Sequence, residues 1–309
     1  MGSLATAMYK TFVILRHTFK EAIFQPIYIL LVALAVCVLV IFGLLPFFTL
    51  GEDTKMYKSV GLDVVLLLVL LATLFTSSRS IYEEIEDRTM LTLMSKPVDR
   101  WHVMLGKYLG IVLAAGVAML LLGGVMVMCI YVRVPWDHYL PSFTVNDLVV
   151  SEVNYYRRMD IYGLLPQLVL TWLEICVLAA VGVALSTRFS LVVNLPAVIL
   201  IYFAGNLTRF IFPLSTGALA GQSALTKGIV WLLSLVLPYL GTFDMKDLAL
   251  MSTIKLSGPI WTQDPHAVAL SSLWYYTAVA GLYAIAYTGL VLSAGMWSFQ
   301  SRELGGGEG

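Results

Sequence analysis

The sequence predicts an all-α integral membrane protein built as a six-span helical bundle. Three further helices are expected beside the spans: an N-terminal interfacial helix, a short helix in the first cytosolic loop, and a re-entrant or interfacial helix before the last span. Hydrophobic residues make up 59% of the 309 residues and charged residues 12%, which is about half the charged share of a soluble domain. The formal net charge of zero gives no indication of a nucleic-acid partner.

The chain opens with an amphipathic segment and then enters the membrane. Apolar residues recur at helical spacing with Lys and Arg between them, which suits a helix lying on the cytosolic leaflet. The apolar positions are Leu4, Met8, Phe12, Leu15 and Phe19. Pro26 turns the chain into a first predicted span over residues 27–48. A second span follows over residues 62–79, after a short polar loop.

The third predicted span covers residues 103–132 and carries one face of small side chains. Small residues four apart let two helices approach closely, and here they are Gly106, Gly110, Ala114 and Ala118. This face is either packed against another span of the same chain or forms a seam with a second copy. The long polar loop that follows contains several Tyr and Trp residues, as is typical of membrane interfaces.

The fourth predicted span covers residues 164–186 and contains one carboxylate, Glu174, near its middle. A charge at the centre of a span costs at least ~3 kcal/mol, so this side chain should face protein or a water-filled cavity. It is then either a hydrogen-bonded packing residue of the bundle or a contact for a substrate. A fifth span, over residues 191–212, follows a tight cytosolic turn.

The segment before the last span is ambiguous in the sequence. Residues 229–240 are apolar but too few to span a bilayer, which indicates a re-entrant or interfacial segment; a full span over residues 218–240 is the alternative. The last span covers residues 273–297. Six spans place both termini on one side, and the density of Lys and Arg on short loops favours the cytosol. We therefore expect a multi-pass protein of the cytoplasmic membrane with both termini cytosolic.

The first cytosolic loop, residues 80–102, is densely charged and contains a short predicted helix. Leu91 extends the apolar edge of this helix, and Pro97 ends it because the residue before a proline is pushed out of α geometry. Asp99 is a good N-cap for the next helix, which starts at Arg100. The apolar edge suits either a partner protein or lipid headgroups. The helical order rests on two pairs four residues apart, Ile81 with Ile85 and Glu84 with Arg88.

One stretch of this loop carries a recognisable pattern. It reads Glu84-Ile-Glu-Asp-Arg-Thr89, then Leu93, then Ser95-Lys-Pro97-Val-Asp-Arg100, with Gly106-Lys107 at the mouth of the next span. The stretch resembles the first cytosolic loop of type-2 ABC transporter permeases, which follows an E-x-(two or three residues)-T-x-x-x-L-x-S-x-P-V-x-R pattern. Outside this stretch the resemblance rests on the layout of the spans alone.

The resemblance implies a permease subunit that works with a separate ATPase. In the family this loop holds the coupling helix that docks on the ATPase subunit, so ATP is bound by that partner and no cofactor is expected in this chain. The family builds its translocation path between two permease copies, which implies a homodimer or heterodimer surrounded by membrane lipids. The residues given an ATPase-coupling role are Ile81, Glu84, Ile85, Arg88, Thr89, Leu91, Pro97 and Arg100.

The sequence offers little chemistry of its own, so we expect a protein that is not an enzyme. It has no P-loop, no H-E-x-x-H and no G-x-S-x-G motif, and its four His residues have no metal-ligand spacing. Its three Cys residues all lie in apolar runs and are expected to be free thiols. Two alternatives stay open: an ion-driven secondary carrier, which would need more intramembrane charges than Glu174, and a non-transporting scaffold. The sequence does not indicate the substrate.

Overall fold

A computed structural model gives the fold of the chain over residues 2–45, 53–82, 99–137, 147–211, 228, 237–246, 254–255 and 268–300. These residues form seven α-helices. Six of the helices are long and apolar enough to cross a membrane, by length and composition. The prediction of an all-α membrane bundle with six spans is therefore confirmed.

Seven α-helices and three short elements follow one another along the described part of the chain. A 3-10 helix covers Leu240–Phe243, and two strands of two residues each, β1 (Ile254–Lys255) and β2 (Val268–Ala269), pair in parallel before the last helix. The α-helices are α1 (Gly2–Phe24), α2 (Pro26–Leu44), α3 (Asp53–Arg79), α4 (Arg100–Asp137), α5 (Asp147–Leu185), α6 (Leu191–Ile211) and α7 (Leu270–Gln300).

Three helices are longer than the spans that hydropathy predicts. The second predicted span begins at residue 62, but α3 already begins at Asp53. The fourth predicted span begins at residue 164, whereas α5 begins at Asp147, and α4 continues to Asp137. Hydropathy detects only the apolar part of such a helix, because polar turns that continue it beyond the hydrocarbon read as loop.

The break between α1 and α2 is set by a proline. Pro26 occupies the first helical turn of α2, and Gln25 before it has extended backbone angles of φ −65° and ψ 126°, as expected of a residue that precedes proline. The Gln25 side chain accepts a hydrogen bond of 2.9 Å from the Thr76 hydroxyl. This contact places the start of α2 beside the end of α3.

The spanning helices alternate in direction, so their termini gather at two ends of the bundle. The first, which we call the α3–α4 end, holds the end of α3, the start of α4, the α5–α6 turn and the end of α7. A Cβ placed on Gly295 of α7 would lie 2.6 Å from the Met104 side chain and 2.7 Å from that of Ala184, which shows how closely α7 meets α4 and α5 there. The opposite end, the α2–α3 end, holds the C-terminus of α2 and the N-terminus of α3.

Helix α5 lies at the centre of the bundle. In its most apolar window 67% of the residues are buried, against 50% for α3 and for α4. The corresponding shares are 17% for α2, 22% for α6 and 28% for α7. Helices α2, α6 and α7 therefore form the periphery and present the widest apolar faces to lipid or to another chain.

The small-residue face of α4 packs inside the chain. A Cβ on Gly106 would lie 2.9 Å from the Ile14 side chain, and one on Gly110 would lie 2.8 Å from the backbone oxygen of Leu15, so α1 rests directly on this face. Higher on the same face, the Tyr28 hydroxyl of α2 donates a 2.8 Å hydrogen bond to the Ala114 carbonyl. Ala118 is buried as well. In this chain the face is thus covered by α1 and α2.

The segment before the last span returns into the bundle. Leu240, Phe243 and Met245 are buried, and the amide of Gln167 on α5 holds them. Its Nε2 donates to the Phe243 carbonyl at 3.1 Å, while its Oε1 accepts from the Met245 N–H at 3.0 Å. Residues 229–236 lie outside the described part of the chain, so the choice between a re-entrant segment and a full span stays a prediction.

Candidate functional site

The candidate site is the α3–α4 end, where the predicted coupling loop leaves α3 and enters α4. Most of the residues given a coupling role lie outside the described part of the chain: Glu84, Ile85, Arg88, Thr89, Leu91 and Pro97. The structure describes the two that flank them, Ile81 and Arg100. It therefore shows how the loop is attached to the bundle.

Ile81 is in the interior of the bundle, which corrects the expectation that it contacts an ATPase. Its side chain is fully buried, in a cluster that includes Val103, Met104 and Phe299. The helical spacing from Ile81 to Ile85 indicated an apolar edge facing outward. Instead, Ile81 packs against the start of α4 and the end of α7, because the chain still lies alongside the bundle at this residue.

Lys107, from the Gly106-Lys107 pair, is a buried cation that holds the end of α3. Its side chain is 3% exposed, and its Nζ donates a hydrogen bond to the Ser80 carbonyl. Carbonyl groups in the last turn of a helix have no partner within the helix and carry partial negative charge. Lys107 satisfies one of them and fixes the point where the coupling loop begins.

Arg100 holds the end of another helix. Its Nη1 donates to the Phe299 carbonyl at 2.7 Å and to the Gln300 carbonyl at 3.2 Å. The guanidinium also lies over the Phe299 ring, 5.3 Å from its centroid. The Arg100 guanidinium thus caps the C-terminus of α7, and its coupling role stays a prediction.

A second arginine reaches the same helix terminus from the α5–α6 turn. The Nε of Arg188 donates to the Ser298 hydroxyl at 2.7 Å, and its Nη2 donates to the Ser298 carbonyl at 3.2 Å. Asn194, near the start of α6, also fixes this turn, because its Nδ2 donates to the Gly182 carbonyl at 2.9 Å. The sequence predicts the tight cytosolic turn in which Arg188 lies but gives no sign of its partner, which is 110 residues away.

Glu174 lies inside the bundle. Glu174 lies on the central helix α5 and is 6% exposed, so it does not face lipid. One turn before it, Thr171 bonds back to its own helix, since its hydroxyl donates to the Gln167 carbonyl at 2.9 Å. The position agrees with the physical expectation for a carboxylate in a span, while its role in packing or in substrate contact stays a prediction.

A lateral cavity opens between α4 and α5. It has a volume of about 610 Å³, and its walls include Leu113, Leu120, Leu168 and Trp274. Trp172 forms one wall and is fixed by a hydrogen bond of 3.4 Å from its Nε1 to the Val112 carbonyl. The residues that line this cavity are almost all apolar.

The α2–α3 end carries charged contacts that sequence reasoning missed, because it assigned these residues to loops. The Arg133 guanidinium of α4 caps the C-terminus of α2 with hydrogen bonds to the Phe42, Gly43 and Leu45 carbonyls at 3.0, 3.1 and 2.9 Å. It also pairs with Asp53 of α3 at 3.3 Å. A usable signal was the helical spacing of Tyr57, Gly61 and Val65, which continues the buried face of α3 into the supposed loop.

Among the residues that the structure describes, no three His, Cys, Asp or Glu side chains gather into a site for a metal ion. Comparison with curated proteins gives no match to the chain. A family described as "ABC-2 family transporter protein" matches residues 12–304, which covers all six spans and both ends of the bundle. The chain therefore belongs to the ABC-2 family of transporter proteins, as a membrane-spanning member and not itself an ATPase.

Proposed function

We propose that this chain is the permease subunit of an ABC transporter, driven by a separate ATPase that docks on the loop between α3 and α4. In this proposal the α3–α4 end faces the cytosol of the cell, with both termini on that side. The observation that carries the proposal is the anchoring of the loop at both of its ends. Lys107 and Ile81 fix the exit from α3, and Arg100 fixes the entry into α4.

Anchoring matters because a loop can move helices only if the residues that join it to those helices are held in place. A packed interior is dense and transmits displacement instead of absorbing it. Ile81 is in that interior, and the first turn of α4 contributes Val103 and Met104 to the same cluster. A force on residues 83–98 would therefore reach α3, α4 and α7 together.

We further propose that the transporter contains two permease copies that meet through α2 and α6. The small residues of α4 are covered by α1 and α2, so they do not provide the seam. The first and fifth spans, α2 and α6, have the least buried apolar windows, at 17% and 22%. Exposed apolar side chains on these helices include Leu30, Leu34, Val192 and Leu200. Cysteine pairs at such positions should cross-link copies in native membranes.

The ATPase interaction is tested by reversing two charges in the loop. Glu84→Arg combined with Arg88→Glu should abolish co-purification of an ATP-hydrolysing subunit from mild detergent, while size-exclusion profiles stay unchanged. Arg158→Glu, an exposed charge reversal at the opposite end, is the matched control and should retain the partner. Recovery of the ATPase at full yield with the loop variant would contradict the proposed docking surface.

Transport itself needs a second measurement. The purified complex in lipid vesicles should hydrolyse ATP, and candidate substrates of different classes should change the rate. Lipids, polysaccharides, peptides and drugs are the classes to screen. A chain that binds no ATPase in any condition would favour the scaffold or the ion-driven carrier instead.

A further inference from the structure

We infer that α7 transmits movement from the coupling loop to the 237–246 segment, with Arg100 and Arg188 as the positioning residues that fasten its C-terminus. This inference rests on the proposed function, because the movement would start at the docked ATPase. It goes further by assigning which helix is driven and which segment responds. The hydrogen bonds that four side chains make at two parts of α7 carry it.

The first part is the C-terminus of α7. Three consecutive residues, Ser298, Phe299 and Gln300, accept hydrogen bonds from Arg100 and Arg188 at 2.7 to 3.2 Å. The carbonyls at the end of a helix concentrate negative partial charge, and bonds from a guanidinium are stronger than those from a neutral donor. Arg100 starts α4 directly after the loop, so the loop and the end of α7 are joined through one side chain.

Packing makes this joint rigid. Phe299 is fully buried in one cluster with Ile81 of the α3 end and Met104 of α4. At Gly295, one turn earlier, any side chain would overlap Met104 and Ala184. The end of α7 therefore cannot slide past α4 and α5 without a larger rearrangement, and it must follow the first turn of α4.

The second part is the other half of α7, where two tyrosines hold the 237–246 segment. The Tyr283 hydroxyl accepts a hydrogen bond of 2.8 Å from the Tyr239 N–H. About two turns nearer the start of α7, the Tyr276 hydroxyl donates to the Thr242 carbonyl at 2.8 Å. These bonds go to the backbone of the segment, so a shift of α7 displaces the segment as a whole.

Between these two parts, α7 turns one face outward and packs its other face on the bundle. Ile285 and Leu290 are 71% and 67% exposed, a Cβ on Gly289 would meet nothing within 4 Å, and Ala284 and Leu292 are buried. Only 28% of the most apolar window of α7 is buried. The backbone hydrogen bonds of a continuous helix keep its length constant, so α7, which is fastened at its end and at the segment, carries a displacement from one to the other.

The test measures whether the segment moves when ATP is bound and hydrolysed. The full complex is placed in lipid nanodiscs with the native cysteines Cys37, Cys129 and Cys176 replaced by alanine. Spin labels are attached at Asp244→Cys in the segment and at Met56→Cys on α3, both exposed positions. The distance between the labels is compared before and after trapping with ATP and vanadate.

We expect trapping to change the distance in the otherwise native complex. Arg100→Gln combined with Arg188→Gln should remove the change, although the ATPase stays bound and hydrolyses ATP. Tyr276→Phe combined with Tyr283→Phe should also remove the distance change, because these substitutions break the hydrogen bonds between α7 and the segment. Combining the two double variants should have no additional effect on the distance, because the loss of either set of hydrogen bonds already interrupts the transmission.

Two controls separate transmission from general damage. Arg157→Gln removes a half-buried guanidinium that stacks on Tyr131 at the opposite end, and it should leave the distance change intact. The double Arg→Lys variant of Arg100 and Arg188 keeps charge and one hydrogen bond each, and it should restore part of the change.

The outcomes distinguish the inference from the proposed function. Failure of the ATPase to co-purify with the native chain would overturn the proposed function and the inference with it. A complex that forms and hydrolyses ATP, yet shows no distance change or keeps the full change in the double Arg→Gln variant, would overturn the inference alone.

Discussion

The Lys58 Nζ of α3 lies 2.6 Å from the Asp160 Oδ1 of α5, with the two side chains only 2% and 8% exposed. This buried ion pair joins the central helix to its neighbour near the α2–α3 end. The Arg133–Asp53 pair joins α4 to α3 at the same end. The buried Lys58, Asp160 and Arg133 are thus each matched with an opposite charge, which is the arrangement that ionised groups need in a low-dielectric interior.

The first prediction follows from the cost of leaving one of these charges unmatched. Lys58→Met alone, or Asp160→Leu alone, should lower the free energy of unfolding by about 3–5 kcal/mol, because each leaves a buried charge without its partner. The double variant should be nearer to the native protein. Thermal unfolding in detergent, followed by size-exclusion chromatography, measures the three variants. A double variant that is less stable than either single one would contradict this account of the pair.

The second prediction concerns the contact between α1 and α4. Gly110→Leu should destabilise the protein by about 1–3 kcal/mol or more, because its Cβ would lie 2.8 Å from the backbone oxygen of Leu15. Gly124→Leu on the same helix is the matched control, since a Cβ there meets nothing within 4 Å. Labelling of a cysteine placed at Leu15 should become faster in the first variant only.

The same pair of variants also addresses assembly. If the small residues of α4 formed the seam between copies, Gly110→Leu would dissociate the dimer while α1 stayed protected. We expect the opposite result, with α1 released and cross-linking between α2 and α6 retained. Loss of cross-linking between α2 and α6 without release of α1 would show that the two copies meet through α4.

The architecture could be predicted from the sequence because hydrocarbon leaves a chain few options. Backbone groups in lipid must be satisfied internally, so long apolar runs become helices, and six helices long and apolar enough to span are present as predicted. The same reasoning could not find Lys58 and Asp160, because polar turns beyond the hydrocarbon look like loop. It also left the small-residue face of α4 with two possible partners, since spacing shows that a helix packs closely but not against what.

The coupling region shows a second limit of sequence reasoning. Arg100 follows a family-like pattern, and that pattern implied a role in coupling to the ATPase. Its acceptor at Phe299 is 199 residues away in the chain, and no local signal pairs them. Ile81 fitted a helical edge with Ile85, but spacing alone does not say which side of the edge is covered by the rest of the protein.

The third prediction concerns the hold of Gln167 on the 237–246 segment. Gln167→Leu removes both the donor to Phe243 and the acceptor for Met245, leaving buried backbone groups unpaired at a cost of about 1–3 kcal/mol. The segment should then open more often, so that a cysteine at Asp244 reacts faster with a water-soluble maleimide. Ser293→Ala is the control, because its hydroxyl bonds only to the Gly289 carbonyl of its own helix. Equal labelling rates in the two variants would exclude the clamp.

The last prediction concerns Glu174, which is 6% exposed on the central helix. If Glu174 is a packing residue, Glu174→Gln should leave assembly and ATP hydrolysis close to native, because the amide keeps the size and the hydrogen-bonding capacity of the carboxyl group. Glu174→Leu should lower the yield of folded protein, since groups that bond to the carboxylate would lose their partner. Asn206→Leu serves as the control for polarity in a span, because the Asn206 amide bonds to the Tyr202 carbonyl of its own helix. A Glu174→Gln complex that assembles at native yield but loses ATP hydrolysis stimulated by substrate would show instead that the charge itself contacts the substrate.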